Sequence, residues 1–458
     1  MTFTLVVGKC HAHMAALLRS DAHSDRFGIR PGRRSRVSDT LDRPSPSGRL
    51  ERLGSDALGP SFSYYARHLI LRADELALDR LCFLARDGYL LEKVYAVVRG
   101  ARPGRRPVTS YLHVSRLSTA LPSVRSFGLR ELRLGFRVPT DRSVASLLRS
   151  FQLLDPEMLD RAAHAGVADV TAPVRDPERD PALLRLIGDA GFQAAVASRA
   201  RAARDLLRRY LGERGFFRGG RMGIVDVGWS GTIQDNLIRA YGDAPDFPDL
   251  HGIYLGLFAD PSRPADDGAA RKEGAIFDSR RDNGFTERAP LHFVEIFEQA
   301  ARADHGMTLG YADGEAGVQP VLKETGADRD AERIGASAVR ALQRGILEFV
   351  VARGGGPIER DERDQIKRRL ERFIFFPTAE ELTAVSELSH SDDWGIASFG
   401  RLVSRPAASA LLNPRRWLDD FHRAYWKPAY LAQTGGPILC LMYQQYERWK
   451  LWRSGLVG

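Results

Sequence analysis

Four short apolar runs, Leu81 to Leu84, Tyr111 to Val114, Met222 to Val227 and Gly252 to Phe258, each stop at charged, glycine or hydroxyl residues, with helical-period segments between them. Runs of that length read as buried strands, because a strand covered on both faces has no polar side to present. Helices between them supply the crossovers that parallel pairing requires. The pattern therefore predicts an α/β fold, a doubly wound and mostly parallel sheet, with these four runs as its full set of strands. A helix is expected from Ser61 to about Leu78 and another from Tyr89 to Val98, then helical segments near 143–151, 155–164 and 191–212 that form an insertion of about 140–212. A further helix, Ile233 to Tyr241, follows the third run. The α/β domain is expected over 57–265. A mainly helical region, 266–458, is expected to pack on it through segments near 290–303, 330–353, 360–374, 378–388 and 437–452. Residues 1–56 carry scattered Arg, Asp, Ser, Gly and Pro without apolar periodicity and read as a disordered basic tail.

Composition narrows the class. With 43% hydrophobic and 27% charged residues in a chain of 458, a collagen-like repeat, a rod and wholesale disorder are excluded. No apolar run reaches the roughly 18 residues of a spanning helix, and Lys9 follows rather than precedes the only apolar stretch near the start, so neither a transmembrane segment nor a secretory signal is expected. Three widely spaced cysteines, Cys10, Cys82 and Cys440, encode neither a disulfide framework nor a zinc site, which fits a cytoplasmic protein. The net charge of +9 is concentrated: eleven arginines stand against Glu131 and Asp141 between Arg99 and Ser150. That block reads as a solvated face or as a field for phosphate, nucleotide or acidic sugar. Aromatic residues are not interleaved with it, so nucleic acid is not expected.

In an open parallel sheet the ligand sits beyond the carboxyl ends of the strands. Three exits are chemically loaded. The first carries Arg86, Asp87 and Gly88, the second Ser115 and Arg116, and the third Asp226 followed by Gly228, Trp229, Ser230, Gly231, Thr232 and, in the helix, Gln234. Glycines at 228 and 231 allow positive φ and close approach of a ligand, while hydroxyls and helix-N-terminal amides donate to an anion. This is the outline of a phosphate cradle, with Asp226 placed for a divalent cation, Mg2+, or for a sugar hydroxyl. A strand-to-helix turn with a hydroxyl cap has the same composition. A Walker A loop is excluded because its lysine is missing. A nucleophile elbow would use Ser230, although Thr232 stands where its last glycine belongs, with His251, His292 or His305 as candidate bases. Glu295 and Glu298 share a helical face, and Glu295 is a candidate general base or metal ligand. The segment Tyr425 to Trp452, rich in Trp, Tyr and Arg, is expected to pack on the chain's own core; a partner glycosyltransferase or a membrane surface is its alternative contact.

The segments Phe83-Leu84-Ala85-Arg86-Asp87-Gly88-Tyr89-Leu90, Tyr111-Leu112-His113-Val114-Ser115-Arg116 and Val225 to Gln234, with Gly256-Leu257, Glu295 to Tyr311 and Phe376 to Glu381, resemble a bacterial family labelled as predicted hydrolases of the HAD superfamily. The likeness covers roughly 58–400. That family occurs in loci for surface polysaccharides, alone or joined to glycosyltransferases. Its catalytic aspartate pattern has only the echo Ser38-Asp39-Thr40-Leu41 here, with Arg36 at the nucleophile position, so the resemblance is to the family's second domain and not to its phosphatase. The motif order is also similar to type I phosphoribosyltransferases, with Arg86-Asp87-Gly88 as the pyrophosphate loop and Asp226 to Thr232 as the phosphate loop; the usual acidic pair is reduced to Asp226. The resemblance implies an enzyme of surface-polysaccharide assembly that binds a phosphorylated or nucleotide-linked sugar, with Asp87, Asp226 and Glu295 as catalytic candidates. A transferase, a serine hydrolase or a silent accessory module of a glycosyltransferase are the alternatives.

Overall fold

A computed structural model describes residues 45–100, 106–136, 142–258, 271–282, 284–391, 399–403, 406 and 413–454. The expectations for residues 1–44, including Ser38 to Leu41, lie outside the described residues.

The strands β1 (Arg80–Leu84), β2 (Val108–Leu112), β3 (Arg221–Asp226), β4 (Asp249–Leu257) and β5 (Lys272–Asp278) form one sheet in the order β2-β1-β3-β4-β5, every pair parallel. The doubly wound α/β class is thus present. Alternation along the strands divides the core: Leu81, Phe83, Val225, Val227 and Ile253 join one cluster, whereas Cys82, Leu84, Met222, Ile224 and Leu250 join another on the opposite face. The second face is covered by the helices Ala190–Glu213 and Thr232–Tyr241, through Leu207, Tyr210, Leu211, Ile233 and Leu237. The first is covered by Gly59–Glu75, Gly88–Gly100 and the helices from residue 289 onward. Between β2 and β3, helices Leu129–Gly135, Val144–Ser150, Pro156–His164 and Pro181–Gly188 close around a separate core of Leu132, Leu147, Phe151, Met158, Phe192 and Val196.

Three expectations are corrected. Four strands do not complete the sheet: β5 extends it past residue 265, with Glu273 buried by ion pairs to His68 at 3.2 Å and Arg72 at 2.7 Å. Its charged opening, Lys272-Glu273, disguised it. The region beyond 266 also contains an antiparallel hairpin, β6 (Thr308–Gly314) with β7 (Gly317–Leu322). The tail does not extend to residue 56. Pro46–Leu53 is a helix capped by Ser45, whose side chain accepts from the Gly48 amide at 3.0 Å, and it buries Leu50 and Leu53. It lies against the helix Ala327–Arg353 so closely that a Cβ on Gly345 would overlap the backbone of Glu51, and one on Gly54 the carbonyl of Leu342. Glycine permits the backbones to touch.

The C-terminal helix Lys427–Arg453 bends at Gly436, which has φ 62°, followed by Pro437. Its first half buries Tyr430 and Leu431, and Trp426 just before it stacks on Phe293 with ring centroids 4.2 Å apart.

Candidate functional site

The sheet order reverses direction between β1 and β3: the chain passes outward from β1 to β2, then returns across to β3 and onward. The helices that follow these strands leave on opposite faces, so a crevice opens at the carboxyl ends of β1 and β3. Arg86 and Asp87 follow β1, Arg116 follows β2, and Asp226 closes β3. The peptide bonds Ala85–Arg86 and Gly228–Trp229, one at each side of this reversal, are cis.

Asp226 is the chemically distinctive residue. Tyr65 clamps the strand beneath it, its buried hydroxyl donating to the carbonyls of Asp226 at 3.0 Å and Ile253 at 2.6 Å. The Asp226 carboxylate accepts from the amide of Val227 at 3.0 Å. Part of the residue stays open to solvent, yet protein encloses the carboxyl, and this desolvation raises its pKa to about 7. The Val227 amide and Arg116 oppose the rise and Glu298 adds to it. Glu298 is held in turn by the indole N–H of Trp229, which donates to it at 3.2 Å. Of the two glutamates on the short helix Glu295–Ala301, it is Glu298 that shares the field of Asp226, whereas Glu295 opens the helix. Glu298, one turn on from the sequence candidate Glu295, is thus the glutamate that acts on the Asp226 carboxyl.

The glycines of the loop after β3 have the expected positive φ. Gly228 has φ 139°, and a Cβ there would overlap the carbonyl oxygen of Gly256; at Gly231, φ is 65° and a Cβ would lie 2.9 Å from the Tyr254 hydroxyl. The chain's own packing therefore also requires glycine at both positions. Trp229 lies over Gly256 and stacks on Phe258 with centroids 5.6 Å apart. Gln234 is fully buried and ties its helix to β4, accepting from the Tyr254 hydroxyl at 2.8 Å. Ser115 caps the helix Arg116–Ala120 and donates to the Thr308 carbonyl at 2.7 Å. Gly88 sits on the backbone of Phe83, where a Cβ would come within 2.7 Å. Gln234, Ser115 and Gly88 each have a structural role in the fold. Ser230, Thr232, Arg116 and the amides at the start of Thr232–Tyr241 remain at the crevice, with Ser230 Oγ 3.4 Å from Thr232 Oγ1.

Beside the β1 exit lies a cluster that sequence reasoning missed. Glu332 is buried among Arg86, Arg302 and Arg329, with Arg302 at 3.4 Å and Arg329 at 3.1 Å. Burial alone would raise its pKa, but the three guanidinium groups hold it at about 2. Arg86 is thus engaged with a helix of the C-terminal region. Next to it, Tyr111 and His305 share a 2.8 Å hydrogen bond, and the rings of His113 and His305 lie 4.7 Å apart. Asp87 acts electrostatically on the Tyr111 hydroxyl. Burial, His305 and Arg214 depress His113 to about 4, and burial with Arg86 and Arg329 also lowers His305. The signal for this cluster was dispersed over residues 86 to 332, and only the sheet and hairpin bring it together.

None of the three histidines offered as a base for Ser230 is bonded to it. His251 pairs with Asp249 at 3.3 Å in the amino-terminal half of β4, His292 contacts Phe375 and Tyr443, and His305 belongs to the aromatic cluster. Among the described residues no group of three or more His, Cys, Asp or Glu side chains could hold a metal ion. No protein-family model matches the chain, and no curated protein matches it.

Proposed function

We propose that the crevice between β1 and β3 is the ligand site of an enzyme acting on a phosphorylated or nucleotide-linked sugar during assembly of a bacterial surface polysaccharide. One observation carries this reading: at the topological reversal of the sheet, Asp226 has a pKa raised to about 7 and lies in the fields of Glu298 and Arg116. A carboxyl poised there can take or return a proton near neutral pH. Arg116, Ser230, Thr232 and the amides at the start of the following helix offer donors to a phosphate. Mg2+, when bound, would neutralise phosphate charge, with Asp226 and Glu298 as its protein ligands. The polysaccharide setting rests on the motif resemblance at residues 83–90, 111–116 and 225–234.

A phosphoribosyltransferase-like transfer is the second reading, supported by a glycine–hydroxyl loop at the β3 exit beside an arginine-bearing loop at the neighbouring β1 exit, while the reduction of the usual acidic pair to Asp226 counts against it. Hydrolysis by Ser230 has less support, since its hydroxyl is near Thr232 and no base is bonded to it. A thermal-shift screen of sugar phosphates, 5-phosphoribosyl pyrophosphate and nucleotide sugars, with and without Mg2+, tests the ligand class. A ligand at 100 times its Kd stabilises by about 2.7 kcal/mol. Stabilisation that Arg116→Gln removes is the expected result; a flat screen favours a non-catalytic accessory module.

A further inference from the structure

The half of the C-terminal helix beyond Pro437 has two apolar faces. One buries Leu439, Cys440, Tyr443 and Gln444 against the body of the protein. The other carries Ile438 at 71% exposure, Leu441 at 50%, Trp449 at 42% and Trp452 at 68%. Ile438, Leu441, Trp449 and Trp452, with the exposed Gln445 between the two pairs, recur at intervals of three or four, so they lie along one side of the helix away from the core. Arg448 and Arg453 border it, and the guanidinium of Arg453 lies over the Trp449 ring at 5.3 Å. The expectation that this aromatic segment is spent on the protein's own core holds for Trp426, Tyr430 and Tyr443 and fails for Trp449 and Trp452.

We infer that this stripe seats the protein peripherally on an anionic lipid surface. Tryptophan and branched aliphatic side chains bordered by arginine are the composition of a helix that lies in the interfacial plane, its indoles at headgroup depth and its guanidinium groups reaching phosphate. Charge points to the same occupant: from Arg415 to Arg453 seven basic side chains stand against Asp419, Asp420 and Glu447, and with Arg448 paired to Glu371 at 2.9 Å a basic excess still remains for an anionic leaflet to attract. A second copy of the chain is a poorer match, because four exposed side chains make a small patch for a protein interface and a twofold contact would bring basic borders together. No helix of the described residues is long and apolar enough to cross a membrane, so the attachment is to the surface.

Co-sedimentation of the full chain with vesicles of phosphatidylglycerol and phosphatidylcholine, against vesicles of phosphatidylcholine alone, tests this directly. Binding is expected only with phosphatidylglycerol, weakened by salt. W449S/W452S should lower the partition coefficient at least tenfold while leaving the thermal midpoint and the oligomeric state unchanged, and Arg453→Glu should lower it by a smaller factor. Absence of binding to phosphatidylglycerol vesicles, or equal binding by the double variant, would overturn the inference. So would a concentration-dependent dimer that the double variant abolishes. The result is independent of the sugar-phosphate reading, whose test uses no lipid.

Discussion

Asp226 concentrates the chemistry because two demands meet in one residue. Its strand is anchored by Tyr65, and its carboxyl is desolvated beside Glu298. An aspartic acid whose folded pKa stands above the ordinary 3.8 binds a proton more tightly in the native state than in the unfolded chain. Its contribution is therefore complete below about pH 4 and is lost as pH rises through about 7. Asp226→Asn should make the protein more stable than the parent above pH 7, as read by urea unfolding at pH 4 and 8, and the gain should shrink as pH falls and vanish at about pH 4. The same change should reduce turnover by about 10²- to 10⁴-fold if Asp226 acts as acid or base. Ser230→Ala should cost about 1.5 to 3 kcal/mol of binding if its hydroxyl donates to a charged phosphate, and about 0.5 to 1.5 kcal/mol if the acceptor is neutral, measured as Kd. Gly231→Val is expected to lower stability as well as binding, since φ is 65° and Tyr254 and Lys272 crowd the site. Asp226, Arg116 and the hydroxyl loop could be read from the sequence because strand exits are local. The packing of Gly228, Gly231 and Gln234 could not be read there, because their neighbours Gly256, Tyr254 and Leu250 lie on a strand that sequence distance separates from them.

Among the elements, the central strands were legible because burial on both faces makes them continuously apolar. The edge strands were less so, β2 being displaced to Val108–Leu112 from the expected Tyr111 to Val114 and β5 being missed. β2 exposes Val108, and β5 opens on Lys272 and Glu273, whose charge is neutralised by Asp235 in one case and by His68 and Arg72 in the other. The helix Pro46–Leu53 escaped notice because its apolar content is small and its fit depends on glycine at positions 54 and 345. Deletion of residues 1–56 should consequently destabilise the protein, and Gly345→Ala should do so by about 1 to 3 kcal/mol through overpacking against Glu51, measured by chemical denaturation. Full stability of both variants would show that this helix is not part of the folded body.

Across the whole molecule, the sheet is held between helices that come from widely separated parts of the chain. The C-terminal region supplies Glu298, Glu332 and His305 to the neighbourhood of the strand exits, and latches onto β5 through Glu287, which bonds Lys367 and Arg363 and accepts from the Asp278 amide. Three of its internal contacts depend on neutral histidine. His113 and His292 are each depressed to about 4, chiefly by burial, and His305 is lowered as well. A histidine with a depressed folded pKa binds a proton more readily when unfolded, so stability is retained above the ordinary value of 6.5 and falls as pH drops from there toward 4. The thermal midpoint should decline over that interval, and His292→Phe should flatten the decline.

The decisive measurement for the site is calorimetric titration of a stabilising sugar phosphate at pH 7 in two buffers of different ionisation enthalpy. If the ligand occupies the crevice beside Asp226, binding will exchange protons with buffer in the parent protein, Asp226→Asn will abolish that exchange, and Arg116→Gln will weaken the affinity at least tenfold. Proton exchange and affinity left unchanged by both substitutions would contradict the assignment of the β1–β3 crevice as the ligand site.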